Sequence, residues 1–132
     1  MTKNDKKIKE LLDKEVFNRN NNCELSYAKP DPLLVASRFK DESIILLCAL
    51  FAYGKASLIV KFLDTLDFSL LEQNEETIKK ELNKHYYRFQ NSEDVINSFI
   101  TLKRLKDIDS LNALFVSAYK KENKISEGLD YL

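Results

Sequence analysis

Asp41-Glu42-Ser43-Ile44-Ile45-Leu46-Leu47-Cys48-Ala49-Leu50-Phe51-Ala52-Tyr53-Gly54 is the run on which the reading of this chain turns. Every residue of 44–53 is apolar or aromatic. A carboxylate at Asp41 suits a helix N-cap, where it accepts from first-turn amides that lack partners, and Gly54 suits the left-handed turn that ends a helix. A helix apolar on every side has no face for water, so this one is expected inside the domain with one-sided segments laid over it. The run is far short of the roughly 20 residues needed to span a bilayer. A core helix over about 41–54 is therefore expected, and no membrane partner.

The flanking segments fit that role. Upstream, Ile8, Leu11, Leu12 and Val16 recur at helical spacing among Lys and Glu. Asp31-Pro32 places a capping residue before a proline at the first helical position, predicting a short helix over 33–39. Downstream of Gly54, Ala56, Leu58, Ile59, Phe62, Leu63 and Leu66 form a wide stripe. A helical hairpin with a connection of about one to three residues follows from that. Residues 67–74 read as a turn with Leu70 and Leu71 inward, and 75–83 as a short polar helix on the rim. A further helix is predicted to open at Ser92, buried through Val95, Ile96, Phe99, Ile100 and Leu102. A last one is capped by Asp109, with Leu111, Leu114, Phe115 and Ala118 on one face. In the tail, Ile125, Leu129 and Leu132 can make one amphipathic turn. With two glycines, two prolines and no strand alternation, the fold class expected is all-α. The architecture is a bundle of about five to seven helices around the 41–54 helix, which forms a hairpin with the next one. Residues 1–132 form one domain.

Composition excludes several classes of function. The chain has 132 residues, 44% hydrophobic and 32% charged, the proportions of an ordinary globular domain. Lys plus Arg and Asp plus Glu both number 21, so no whole-molecule field draws nucleic acid or membrane, and any basic surface must be local. Cys23 and Cys48 are too few for a disulfide framework; Cys48, inside the apolar run, reads as a small core hydrophobe. The N-terminus has charge and no apolar run after it, so a signal peptide is not expected and the cytoplasm is.

Catalytic chemistry finds little to use. His85 is the sole histidine, which rules out two-histidine metal sites, and no cysteine pair has zinc spacing. No metal, cofactor or catalytic residue is predicted, and no small-molecule ligand. Asp41-Glu42, Glu75-Glu76 and Glu93-Asp94 all stand where helices begin, which the helix dipole explains. Lys84-His85-Tyr86-Tyr87-Arg88-Phe89 is the other unusual stretch and reads as a loop. Bases interleaved with aromatics can grip phosphates and stack on unpaired bases. The alternative is that Tyr87 and Phe89 plug the core while Lys84 and Arg88 stay in water or pair with acids.

Asp31-Pro32, Glu42 seven residues ahead of Ala49, then Ala52-Tyr53-Gly54-Lys55, and finally Tyr87-Arg88-Phe89 make a pattern. It resembles the N-terminal half of a family of uncharacterised bacterial proteins known as a domain of unknown function. The resemblance implies relatives about twice this length and assigns no role to Glu42, Tyr53, Gly54 or Phe89. The family's other half is similar to helix-hairpin-helix DNA glycosylases in a segment outside these residues, so no glycosylase catalytic residue carries over. It implies a nucleic-acid-binding module with Lys55, Lys84, Tyr87 and Arg88 on one surface. The alternative is an interaction or structural module that self-associates into a homo-oligomer through an exposed apolar face. An enzyme acting alone comes third.

Overall fold

A computed structural model of the chain describes residues 3–20 and 25–122. Within them run α1 Lys3–Arg19, α2 Leu33–Ala36, α3 Glu42–Leu50 and α4 Ala56–Leu63. A 3-10 helix, Phe68–Glu72, leads to α5 Glu75–Leu82, α6 Ser92–Ile108 and α7 Leu111–Glu122. No strand occurs among the described residues beyond two isolated bridges, and the fold is all-α. Cys23 and the expected turn around Ile125, Leu129 and Leu132 lie outside the described residues.

Asp41 caps α3, its Oδ1 accepting from the Ser43 amide at 2.8 Å. Burial pushes the Asp41 carboxyl up, but the Lys106 ammonium at 2.5 Å and the Ser43 amide outweigh it and hold the group below its ordinary value. Lys106 also pairs with Glu72, so one lysine of α6 ties together the start of α3 and the end of the 3-10 helix. Ile44, Leu47, Cys48 and Phe51 are buried. Burial pushes the Cys48 thiol up to about 11, which keeps it a neutral packing group.

Two expectations about this helix change. First, it is central without being enclosed: Ile45 and Leu50 are 43% and 55% exposed. It packs mainly on α2 and α6, and two neighbours cannot close around a cylinder. Second, the helix stops at Leu50 with Phe51 as its C-cap, so residues 51–55 form a connection longer than predicted. The turn begins early, with the Ala52 amide donating to Ala49 O and the Tyr53 amide to Phe51 O. Tyr53 thereby leaves the helix and reaches another loop.

The other organising element is α6. It opens at Ser92 as expected, capped by Asn91 in a reciprocal capping box with Asp94. Val95, Phe99, Ile100 and Leu102 are buried where α6 meets α5, α3 and the 3-10 helix, and Phe99 stacks on Phe68 at 6.4 Å. Arg104 holds Glu75 of α5 through two hydrogen bonds of 2.7 and 2.8 Å, and Lys103 pairs with Asp107. In contrast, the apolar stripe of α1 covers nothing: Ile8, Leu11, Leu12 and Val16 are each more than half exposed. The periodicity of α1 is right and its expected packing is not.

Candidate nucleic-acid interface

The residues of the Ala-Tyr-Gly and Tyr-Arg-Phe pattern, 34 positions apart, meet in space. Tyr87 Oη donates to the Tyr53 carbonyl at 2.9 Å, and Tyr53 Oη donates to the Tyr87 carbonyl at 3.3 Å. Burial, with Tyr87 alongside, pushes the Tyr53 phenol above its ordinary value, so it stays a neutral donor. The two rings lie 5.3 Å apart, and beneath them Phe62 of α4 stacks on Tyr87 at 4.8 Å while meeting Phe51 edge-on at 5.1 Å. This aromatic cluster fixes the 51–55 connection against the 87–90 turn.

The turn itself is tight. Tyr87 and Gln90 exchange both backbone hydrogen bonds at 3.0 Å, which leaves Arg88 and Phe89 as its two central residues. Arg88 has φ +57°, alone among the described non-glycine residues in being positive. Positive φ at the first central position and not the second is the type II′ pattern, whose usual occupant there is glycine. The arginine that stands there instead lies over the Tyr53 and Phe89 rings at 5.8 and 5.4 Å.

Gly54 makes room for it. Its φ is +106°, as a turn glycine should have, and a Cβ built there would come within 2.2 Å of Arg88 Nη1. Gly54→Ala is therefore expected to destabilise by about 1–3 kcal/mol, through backbone strain more than through contact with a movable guanidinium. An unchanged urea midpoint would contradict that reading. Lys55, next in the chain, is the N-cap residue of α4.

Beside this unit a cleft of about 550 Å³ opens between α4 and the 84–88 segment. Leu58 and Phe62 supply its apolar floor, and Lys61, Lys84 and Arg88 its cations. Among the described residues, Lys55, Lys61, Lys84 and Arg88 have no carboxylate within ion-pairing distance, as is also true of Lys29, Lys40, Lys79 and Lys80, whereas Arg38, Lys103 and Arg104 have one each and Lys106 has two. His85 donates from Nε2 to the Thr65 carbonyl at 3.1 Å, and its Nδ1 is buried with no hydrogen-bond partner.

The expected site residues divide in two. Lys84, Arg88 and the Gly54-Lys55 step come to one side of the molecule. Tyr87 does not serve as a stacking residue: it is 6% exposed and engaged with Phe62. The exposed aromatics are its neighbours Tyr86 and Phe89, at 73% and 83%. Phe89 therefore plugs no core. Lys61 was missed because only tertiary packing brings α4 beside the 84–88 segment, and Tyr86 because the register of the turn, which decides which ring faces water, is not written in the composition.

Glu42 turns out to be a cap for a distant helix. Its two carboxylate oxygens accept from the Leu111 and Asn112 amides at 2.6 and 3.2 Å, satisfying orphan donors at the start of α7. Ser110 adds its hydroxyl to the Ala113 amide. Asp109, expected as that cap, instead terminates α6.

No helix among the described residues is long and apolar enough to cross a membrane, and no group of three metal-ligating side chains occurs among them. No curated protein and no solved structure matches the chain, and nothing ties it to the helix-hairpin-helix glycosylases. A family profile does match, over residues 31–132, a span that holds Glu42, the Tyr53–Tyr87 pair, Gly54 and the Arg88 turn. The chain belongs to DUF2400, a family of proteins of unknown function.

Proposed function

We propose that this domain is a nucleic-acid-binding module that prefers unpaired strands. The observation that carries the reading is that Lys61, Lys84 and Arg88 line one cleft with no carboxylate in it, together with the exposed ring of Tyr86, while Arg88 reaches Gly54, next to Lys55, and lies over the exposed Phe89 ring. Cations of this kind neutralise backbone phosphates, and exposed rings stack on bases that a duplex keeps paired. The strained turn supports it too. A non-glycine residue held at positive φ lowers stability, and such strain tends to collect at functional positions.

Four cations set the expected strength. Affinity falls in the weak range of roughly 10⁻⁴ to 10⁻⁶ M, and log K falls with log salt at a slope of about three for a single strand, near 0.7 per phosphate. Fluorescence anisotropy of a labelled single strand and the matching duplex, each at two salt concentrations, checks this. Tighter binding of the single strand with that slope is expected. No binding at low salt with protein at about 100 μM, the weak end of that range, removes the reading.

A second reading, self-association, draws on the uncovered apolar stripe of α1 together with Ile45 and Leu50 of α3. A helix of 17 residues is marginal in water unless its apolar face is covered. Sedimentation velocity with wild type and Leu12→Glu tests it. A dimer that the substitution returns to monomer is the expected outcome under this reading, and a monomer at all concentrations excludes it.

A further inference from the structure

We propose that the cleft between α4 and the 84–88 segment receives one nucleotide of the bound strand, with its base on the apolar floor and its phosphate at the rim. The inference rests on the strand-binding reading and narrows it from a surface to a pocket.

The size fits. Small-molecule sites run from about 300 to 1,000 Å³, and this cleft has about 550 Å³. So does the distribution of chemistry. Leu58 is half exposed inside it, although leucine gains by being covered, and Tyr86, which also lines it, keeps its ring open, while Phe62 beneath is buried and stacked on Tyr87. A flat aromatic group laid in the cleft covers Leu58 and meets the open Tyr86 ring. Lys61, Lys84 and Arg88 line the same cleft and no carboxylate does, so a ligand with a negative end is favoured over a neutral or cationic one.

Two other clefts show how specific the combination is. The one between α3 and α6, about 690 Å³, has Leu46, Leu50 and Leu102 but Asp94 as its charged group and no cation. The one beside the start of α7, about 440 Å³, holds Lys40 and Lys106, the latter engaged with Asp41 and Glu72, but is also lined by Asp41, Glu42 and Asp109. Neither combines an exposed ring with cations and no carboxylate.

The test is methyl and aromatic NMR of the whole chain titrated with adenosine monophosphate, adenosine and inorganic phosphate separately. The proposal expects the nucleotide to shift the Leu58 methyls and the Phe62 ring, phosphate alone to need about tenfold more for half-saturation, the factor one good base stack supplies, and adenosine to need more than the nucleotide because it lacks the anionic end. Leu58→Asp, at a half-exposed position, should abolish the Phe62 shift, and Lys84→Gln should weaken nucleotide binding while leaving adenosine unchanged. If the nucleotide shifts only the rim, as phosphate does, the pocket proposal is overturned, and continued binding of the single strand in anisotropy keeps the broader reading. If neither nucleotide nor strand binds, both fall together.

Discussion

Leu47→Ala should lower the free energy of unfolding by about 2–5 kcal/mol, whereas Leu50→Ala, three residues on in the same helix, should change it by no more than about 0.5 kcal/mol. Leu47 has no exposed surface and Leu50 has more than half of its own open. Truncating the first leaves a cavity in a packed core, because the surroundings relax only in part. Truncating the second removes contacts with water. Urea denaturation of both variants measures the difference. Equal losses would mean that α3 is covered on both sides, against the geometry found, and small losses in both would remove it from the core.

Arg88 carries the second large effect, and two substitutions there separate backbone strain from binding. Arg88→Ala keeps the positive φ and deletes the guanidinium from the Tyr53 and Phe89 rings. Arg88→Gly makes the same deletion and also relieves the backbone. The glycine variant should therefore be the more stable of the two by about 1–2 kcal/mol, the penalty an L-residue pays for left-handed geometry. Both should bind single strands more weakly than wild type, with a salt slope smaller by about 0.7. Equal stability of the two variants would place Arg88 in an unstrained turn, and unchanged affinity would take it out of the interface.

Much of the fold was legible because single-helix signals are local. The Asp41 cap, the apolar run after it, the stripe of α4 and the inward Leu70 and Leu71 all depend on neighbours within a turn or two. Gly54 was legible as a turn glycine for the same reason. What it accommodates was not, since Arg88 arrives from 34 residues away. The opening of α6 at Ser92 was legible, with Asn91 before it as the cap, but the cap of α7 was misjudged, since Ser110 and the remote Glu42 serve it in place of Asp109.

The 84–89 stretch was correctly read as a loop, and of the two rings offered to the core Tyr87 is buried while Phe89 is not. In a two-residue turn the flanking residues are fixed by the paired backbone and the central ones stand at the tip. Tyr87 flanks and is buried; Phe89 is central and exposed. Composition cannot distinguish the two without the register. Nor does a stripe of apolar residues name its partner, which is why α1 was expected to cover the centre and lies open instead.

The central claim is that the carboxylate-free cations around the α4 cleft form the surface that meets nucleic acid. Amide NMR of the uniformly labelled chain, titrated with a short oligothymidine at low salt, tests it most directly. The account predicts that the shifted amides gather at Lys55, Lys61, Lys84, Tyr86, Arg88 and Phe89 and that α5 and the ion-paired end of α6 stay still. Shifts centred instead on Lys103, Arg104 and Lys106, or none anywhere, would contradict it.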